Sequence, residues 1–410
     1  MTVCDGSSVF AQHDAVAEPP SFSDHRDGEP TRIASRPGVD QTDVTWADAP
    51  QQAAILDPAD GGRISSGLSV EQVMELAATN SPNAKLLEAE RRALGCGLDC
   101  DDPAMRAQVG LLQAVLRELA EHERDNDACS AEQIFYQMVG LNRQRTLLQD
   151  ATTELDALIN LSQRAEDLDL DAIDVPALQR QRLAIDNQLQ KLNYGFQKLQ
   201  IPMSRHLGIP LDLQNPPLLN DQLSPTAFSA GLDHLVATAN ANRDDLQAIH
   251  TLCRCTSSSS LPAARSLMGA LQPGLGFTAT SAARSGLFGG LCKMPKTSDL
   301  GCRRQQCHEM TAARQQQIHD EVALRWLTQN ETSELLDVAT STFENARSAM
   351  QKTTAAVKID QASNAEQRQT RLTMLQTDGD RITQMVQHAV AVSKLRQAMG
   401  LRTIDVAIHP

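Results

Sequence analysis

Aromatic side chains are nearly missing from this chain of 410 residues: eight Phe, two Trp and two Tyr amount to 3%, while hydrophobic residues make up 41%. The apolar content is therefore aliphatic and Ala-based, which supplies helix seams well and sandwich or barrel cores badly. Basic charge is short as well. Lys and Arg number 37 against 51 Asp and Glu, a net charge of −14, so no nucleic-acid partner is expected. No apolar run reaches the ~18 residues of a membrane helix, and the first residues lack the basic and apolar regions of a signal peptide. Read from Met1, the chain is expected to stay in the cytoplasm. Nucleophile-elbow, phosphate-loop and dinucleotide glycine motifs are missing too, and the Gly-rich 286–290 lacks both the Lys and the strand-to-helix setting. The chain is expected to be no enzyme and to carry no cofactor.

What is present is charge segregation, then long periodic stretches. The first 66 residues carry four Arg against eleven Asp and Glu and hold six of the 18 prolines, which reads as a disordered acidic tail. Beyond it, proline spacing marks where long helices can run, because an interior proline removes a backbone donor and clashes with the preceding turn. None lies between Pro103 and Pro176, or between Pro295 and Pro410. Within these intervals Ile134, Leu141, Leu148 and Leu155 recur every seventh residue, as do Leu178, Ile185, Leu192 and Leu199, the second set filled in by Leu189, Phe196 and Met203. This is a coiled-coil seam. A weaker one runs through Ile382, Met385, Ala389, Val392, Arg396 and Met399. Between the first two stripes crowd Glu166, Asp167, Asp169, Asp171 and Asp174, with Pro176 following. The expectation is an antiparallel hairpin of two helices, each roughly 50 Å long at about 1.5 Å per residue, folded around an acidic turn.

The chain also repeats. Leu76, Ala78, Thr79, Asn83, Leu87 and Ala89 are matched by Leu235, Ala237, Thr238, Asn242, Leu246 and Ala248, each 159 residues later. Met203–Gly208 resembles Leu395–Gly400 at an offset of 192, so the second copy has gained 33 residues. The excess maps to about 256–300, which opens with a Ser257–Ser260 linker and is rich in Gly and Pro. The expected domains are the tail (1–66), a first helical repeat (67–219), a second helical repeat (220–401) and a C-terminal tail (402–410). Each repeat reads as short helix, insert, long helix, turn, long helix and a stopping Gly.

Segment Leu68–Pro82, with its acidic amphipathic start and the Asn80-Ser81-Pro82 break, resembles the opening helix of the TolC-type outer-membrane efflux protein family. Ala241-Asn-Arg-Asp-Asp-Leu-Gln-Ala248 resembles the corresponding stretch of that family's second repeat, His206–Asp212 the end of its first, and Ala172–Val175 its turn at the periplasmic tip. The resemblance covers about 67–401 and is carried by the order of these segments and by the duplication. It implies a mainly α fold of duplicated long antiparallel helical hairpins, a coiled-coil α-barrel body. It implies a homotrimer that forms an export conduit with a periplasmic adaptor protein and an inner-membrane transporter, in the cell envelope at the outer membrane. It implies no catalysis. Such a location requires a start upstream of Met1 or another export route.

In that family each protomer lends four strands to a shared membrane barrel. Here Met105–Glu123, in the first insert, reads as another helix. Only the second insert has a candidate: Leu275, Phe277 and Ala279 alternate with Gly276, Thr278 and Thr280, and Leu287–Leu291 follows a turn near Ser285-Gly286. Each arm is shorter than the ~9–11 residues of a membrane strand. At most one short β-hairpin is expected, with an ordinary loop as the equal reading.

Under the repeat reading, Cys96, Cys100 and Cys129 flank the first insert, and Cys253, Cys255, Cys292, Cys302 and Cys307 the second, all at one end of the body. Disulfides there would stabilise a truncated membrane-proximal end. The many pairings open to eight cysteines leave the connectivity unassigned, and scattered free thiols are the plain alternative. A metal site from Cys292, Cys302, Cys307 and His308 is a weaker candidate, because structural zinc favours pairs about two to four apart. His308-Glu309 begins a zincin motif that Ala312 ends. The carboxylates Glu166, Asp167, Asp169, Asp171 and Asp174 read as a solvated turn, or as a cation-favouring ring if three copies meet at a tunnel mouth. Two other functions stay open: a soluble helical structural or adaptor protein that has lost the barrel and transport, and a cytosolic coiled-coil scaffold with metal-binding thiols.

Overall fold

Prolines and short polar caps decide where the helices begin. Pro82, Pro103, Pro176 and Pro262 each stand in the first turn of a helix, where the missing N–H has no intrahelical partner to lose. Ser81, Asp102 and Asp174 precede three of them and accept from the backbone N–H groups of Ala84, Ala104 and Ala177, satisfying donors the first turn leaves open. The computed structural model describes residues 67–401 apart from 97–101, 169–173, 215, 221–222, 224–226, 273–274 and 276–298. The helices are α1 (Val70–Asn80), α2 (Pro82–Ala93), α3 (Pro103–Asp167), α4 (Val175–Leu207), α5 (Leu232–Asn242), α6 (Asp244–Cys255), α7 (Leu261–Leu271), α8 (Asp299–Val357) and α9 (Asn364–Ala398). Among the described residues, strand pairing is confined to one parallel bridge between Leu68 and Leu219. The fold is mainly α, as expected. The tails at 1–66 and 402–410, and the candidate strands beyond Leu275, lie outside the described residues.

Three local expectations are corrected. Met105–Glu123 is no separate helix but the first third of α3, which runs for 65 residues, roughly 97 Å at about 1.5 Å per residue. No proline interrupts it, and a single mid-helix glycine such as Gly110 costs only about 1 kcal/mol. Ser257–Ser260 is a turn, not a linker: Ser260 Oγ donates to Cys255 O at 2.7 Å and accepts from Ser257 N–H at 2.9 Å, and α7 follows at once. The repeat register also shifts. Asn80 and Asn242 both close a short helix, which sets the offset at 162; the buried pairs Val73 and Leu235, Ala77 and Ala239, and Ala84 and Leu246 agree with it.

Four long helices stand in a row. α4 packs on α3, α3 on α9, and α9 on α8. Near the turn end, Leu155 and Leu158 of α3 meet Leu178 of α4, with Ile185 and Leu372 beside them. Further along, α1 wedges Val73, Met74 and Ala77 against Phe135 and Met138 of α3, Met203 of α4 and Ala389 of α9. In the second repeat α5 and α6 do the same with Leu235, Ala239 and Leu246 against Ile318 and Val322 of α8, Leu395 of α9 and Met399 just past its end. A fully buried Phe or Leu of this kind contributes roughly 1.5–3 kcal/mol. Polar ties cross the α3–α9 seam: Glu132 accepts from Arg396 Nη1 at 2.5 Å and Ser393 Oγ at 2.8 Å, Gln144 Nε2 donates to Thr383 Oγ1 at 2.8 Å, and Glu154 pairs with Arg368 and Arg371.

The hairpins end alike. Gly208 and Gly400 adopt φ of +66° and +65°, the left-handed conformation that stops a helix. Against each stop lies the break of a short-helix pair. Asn80 Nδ2 donates to Leu207 O at 2.8 Å, and Arg243 Nη1 donates to Ala398 O at 3.3 Å; a Cβ on Gly208 would come within 2.8 Å of Asn80, and one on Gly400 within 3.0 Å of Arg243 Cα.

At the α3–α9 crossing, closeness is limited by Gly140, where an added Cβ would lie 2.2 Å from Val386 Cγ2. Gly140→Ala should lower stability by about 1–2 kcal/mol through overpacking, outweighing the gain in helix propensity. Val386→Ala in the same chain should restore most of it, as read by denaturant unfolding.

Candidate functional site

A coiled-coil seam commits one stripe of a helix, so large apolar residues off that stripe need another partner. The two helices at the edges of the row carry such residues. On α4 they are Leu183, Tyr194 and Ile201, 68%, 65% and 56% exposed; on α8 they are Leu324, Leu327, Leu335 and Val338. Pairings across the row place them at matching heights. Gly195 of α4 lies beside Leu141 of α3, Gln144 of α3 bonds Thr383 of α9, and Arg381 of α9 stacks on Phe343 of α8 at 4.5 Å. Tyr194 therefore stands level with Leu335 and Val338. The heptads did not reveal this pairing, because which helix lies at the edge is a property of topology.

The acidic turn sits where α3 hands over to α4. Glu166 and Asp167 close α3 and are exposed, and Asp174 caps α4, accepting from Ala177 N–H at 3.2 Å with Arg180 at 3.8 Å. Asp169 and Asp171 lie outside the described residues. The three described carboxylates are solvated, and carboxylates in the last turn of a helix gain nothing from its dipole.

At the other end, α2, α6 and α7 gather around the starts of α3 and α8. Leu111 and Val115 of α3, Leu252 of α6, Leu267 and Met268 of α7, and Met310 of α8 form a separate core there. Cys96, Cys129, Cys253, Cys255 and Cys307 carry free thiols, and Cys302 is exposed; Cys100 and Cys292 lie outside the described residues. Cys129 is set apart from this end: it is buried near Glu132, and desolvation, helped by that carboxylate, pushes its thiol up to about 12. Cys253 and Cys307 pack on the same core. Cys307 donates to Cys253, which draws the Cys253 thiol down to about 7 against the opposing effect of burial, with Thr311 assisting; the Cys307 thiol moves up for the same reason and through burial. The metal candidates do not converge: Cys307 is buried while Cys302 and His308 are exposed, and the described residues hold no group of three such ligands.

Arg243, in the break between α5 and α6, is the most connected charge at the second joint. Its guanidinium reaches Glu321 and Ala398 O through Nη1 and Asp245 through Nη2, the last at 2.8 Å. Asp245 also accepts from Arg314 Nε at 2.9 Å. Burial alone would raise the Asp245 carboxyl, but hydrogen bonds and charge from Arg243, with His122 and Arg314, hold it well below the usual carboxylate range. This network was not read from the sequence; its one signal was the Asn-Arg-Asp-Asp stretch itself. The cavity beside it is about 10 Å³, room for about one water. It anchors helices rather than receiving a substrate.

No family model and no curated sequence matches the chain. Solved structures do. The outer membrane channel CmeC of Campylobacter jejuni superposes with a TM-score of 0.59 at 8% identity, over 81% of this chain and 85% of that one. The open state of the Neisseria gonorrhoeae MtrE outer membrane channel gives 0.56 at 8% identity, over 81% and 89%. The Vibrio cholerae outer membrane protein VceC gives 0.52 at 12%, over 81% and 96%. The fold is that of the TolC-type outer-membrane channels. No described helix is long and apolar enough to cross a membrane.

Arg243→Ala should cost about 3 kcal/mol, because it leaves Asp245 buried with one partner fewer; Arg243→Lys should recover part of it in thermal or denaturant unfolding. A pH dependence follows from His206 and His388, both lowered from 6.5 chiefly by burial. The unfolded imidazoles take up protons first, so stability held above about pH 6.5 is lost as pH falls toward the folded pKa values. The midpoint temperature should drop between pH 7.5 and 5, and His388→Gln should flatten the drop.

Proposed function

We propose that three copies of this chain close head to tail into a helical conduit of the cell envelope that exports substrates with a periplasmic adaptor protein and an inner-membrane transporter. The observation that carries this reading is the pair of unpartnered apolar edges at one height, on a fold shared with outer-membrane channels. Two different edges that meet make a heterologous contact, which closes into a ring or runs on as a fibre. With α4 of one copy against α8 of the next, twelve helices spaced about 10 Å apart enclose a lumen of roughly 25 Å. Such a lumen transmits cargo without a recognition pocket. The acidic residues at the α3–α4 turn then crowd one mouth, where repeated carboxylates concentrate negative potential.

The soluble helical adaptor is the second reading, favoured by one observation. Nine positions separate α2 from α3, fewer than the roughly 20 that a membrane β-hairpin of two strands needs.

Mass measurement of the full chain extracted in mild detergent, and carbonate washing of native envelopes, test the two. A trimer that stays with the membrane and dissociates in Tyr194→Glu or Leu335→Glu is expected. A monomer insensitive to these substitutions would overturn the ring. A trimer released by carbonate would favour the adaptor.

A further inference from the structure

We propose that Cys253 and Cys307 form a disulfide that clamps α6 to α8 at the end of the body opposite the acidic turn. The inference goes beyond the conduit reading and does not depend on it. Cys253 lies near the end of α6, and Cys307 in the third turn of α8. Each thiol shifts the titration of the other, and both belong to one core cluster. Thr311, one turn after Cys307, donates to the Cys307 carbonyl at 3.0 Å and places its Oγ1 3.6 Å from Cys253 Sγ. Both cysteines pack on the core that joins α3, α6, α7 and α8, so that packing holds them on facing surfaces of α6 and α8.

The remaining described thiols are placed otherwise. Cys255 is two residues beyond Cys253, on the other side of α6, and is exposed. Cys302 is exposed at the start of α8. Cys96 donates to the carbonyl of Arg92 at 3.4 Å. Cys129 is buried in α3 beside Glu132.

The chemistry is thiol–disulfide exchange with a small or protein disulfide as oxidant. The Cys253 thiolate attacks one sulfur of the oxidant, forming a mixed disulfide and expelling one thiolate. Cys307 then loses its proton and attacks the Cys253 sulfur; the S–S bond closes, and a second thiolate leaves. The two protons end on the two thiols released from the oxidant, so two cysteines are oxidised as one disulfide is reduced. Cys253 is the attacking group because it is half-buried and reachable, whereas Cys307 is enclosed.

The clamp would close a loop containing α7 and the stretch before α8, restricting the unfolded chain. The test is peptide mapping of the full chain after equilibration with oxidised glutathione and alkylation of remaining thiols. One linked pair, 253 with 307, is expected, together with a midpoint temperature higher by on the order of 5–10 °C than in the reduced protein. Cys307→Ser should abolish that difference and leave Cys253 unlinked to any cysteine of the chain, held as the mixed disulfide with glutathione that Cys307 would otherwise resolve. Linkage of Cys253 to another cysteine, or Cys253 still alkylated in the oxidised wild-type chain, would overturn the proposal without need of any variant.

Discussion

A carboxylate with no exposure to water, Glu132, sets the register of everything around it. Burying it and Arg396 costs several kcal/mol of hydration, which is offset only when both ions are well bonded. Here Glu132 accepts from Arg396, Ser393 and Tyr136. The surfaces beside this bond are small and smooth: Ala128, Ala131 and Gly140 on α3, Ala389, Ala391 and Val392 on α9. Smooth seams of this kind can slide by a turn with little change in apolar burial. A buried ion pair cannot, because a slip leaves an uncompensated charge. Once Glu132 meets Arg396, Gln144 falls beside Thr383 and Glu154 between Arg368 and Arg371, and the heights of the two outer helices follow.

The duplicated joint shows how one geometric requirement is met by two chemistries. In both repeats a left-handed glycine stops the returning helix, and the residue at or beside the break in a short-helix pair bonds its last carbonyls. Asn80 does this as a neutral amide. Arg243 does it as a cation, and a buried cation demands anions, hence Asp245 and Glu321, with Arg314 completing the group. The second joint is thereby tied to α8, while the first is tied by shape and apolar packing.

Much of this was legible in the sequence for a physical reason: a seven-residue beat, a proline-free interval and a glycine stop are local signals that tertiary context rarely reverses. The hairpin of α3 and α4, the stops at Gly208 and Gly400 and the mainly α class all came from such signals. The misreadings have equally local causes. Glu121 to Asp127 is a polar stretch that dilutes the apolar beat, which hid the continuity of α3. Matches among Ala, Leu and Thr favoured the offset of 159, whereas helix ends and burial require 162. Of the candidate site residues, the meeting of Cys253 with Cys307 is invisible to spacing, since it depends on α6 packing against α8.

Composition and length converge at the end opposite the acidic turn. Only 27 positions separate α7 from α8, and nine separate α2 from α3, so these two segments together have length for one membrane hairpin at most. Barrels also need aromatic girdles at both interfaces. Of the two Trp and two Tyr in the chain, Tyr136, Tyr194 and Trp326 lie on α3, α4 and α8, committed to the helical body. The described residues at this end form a helical core, with Leu267 and Met268 of α7 set between Val115 of α3 and Leu252 of α6. Among the described residues, large apolar side chains are left exposed instead along the two edge helices, in Tyr194 of α4 and Leu335 and Val338 of α8.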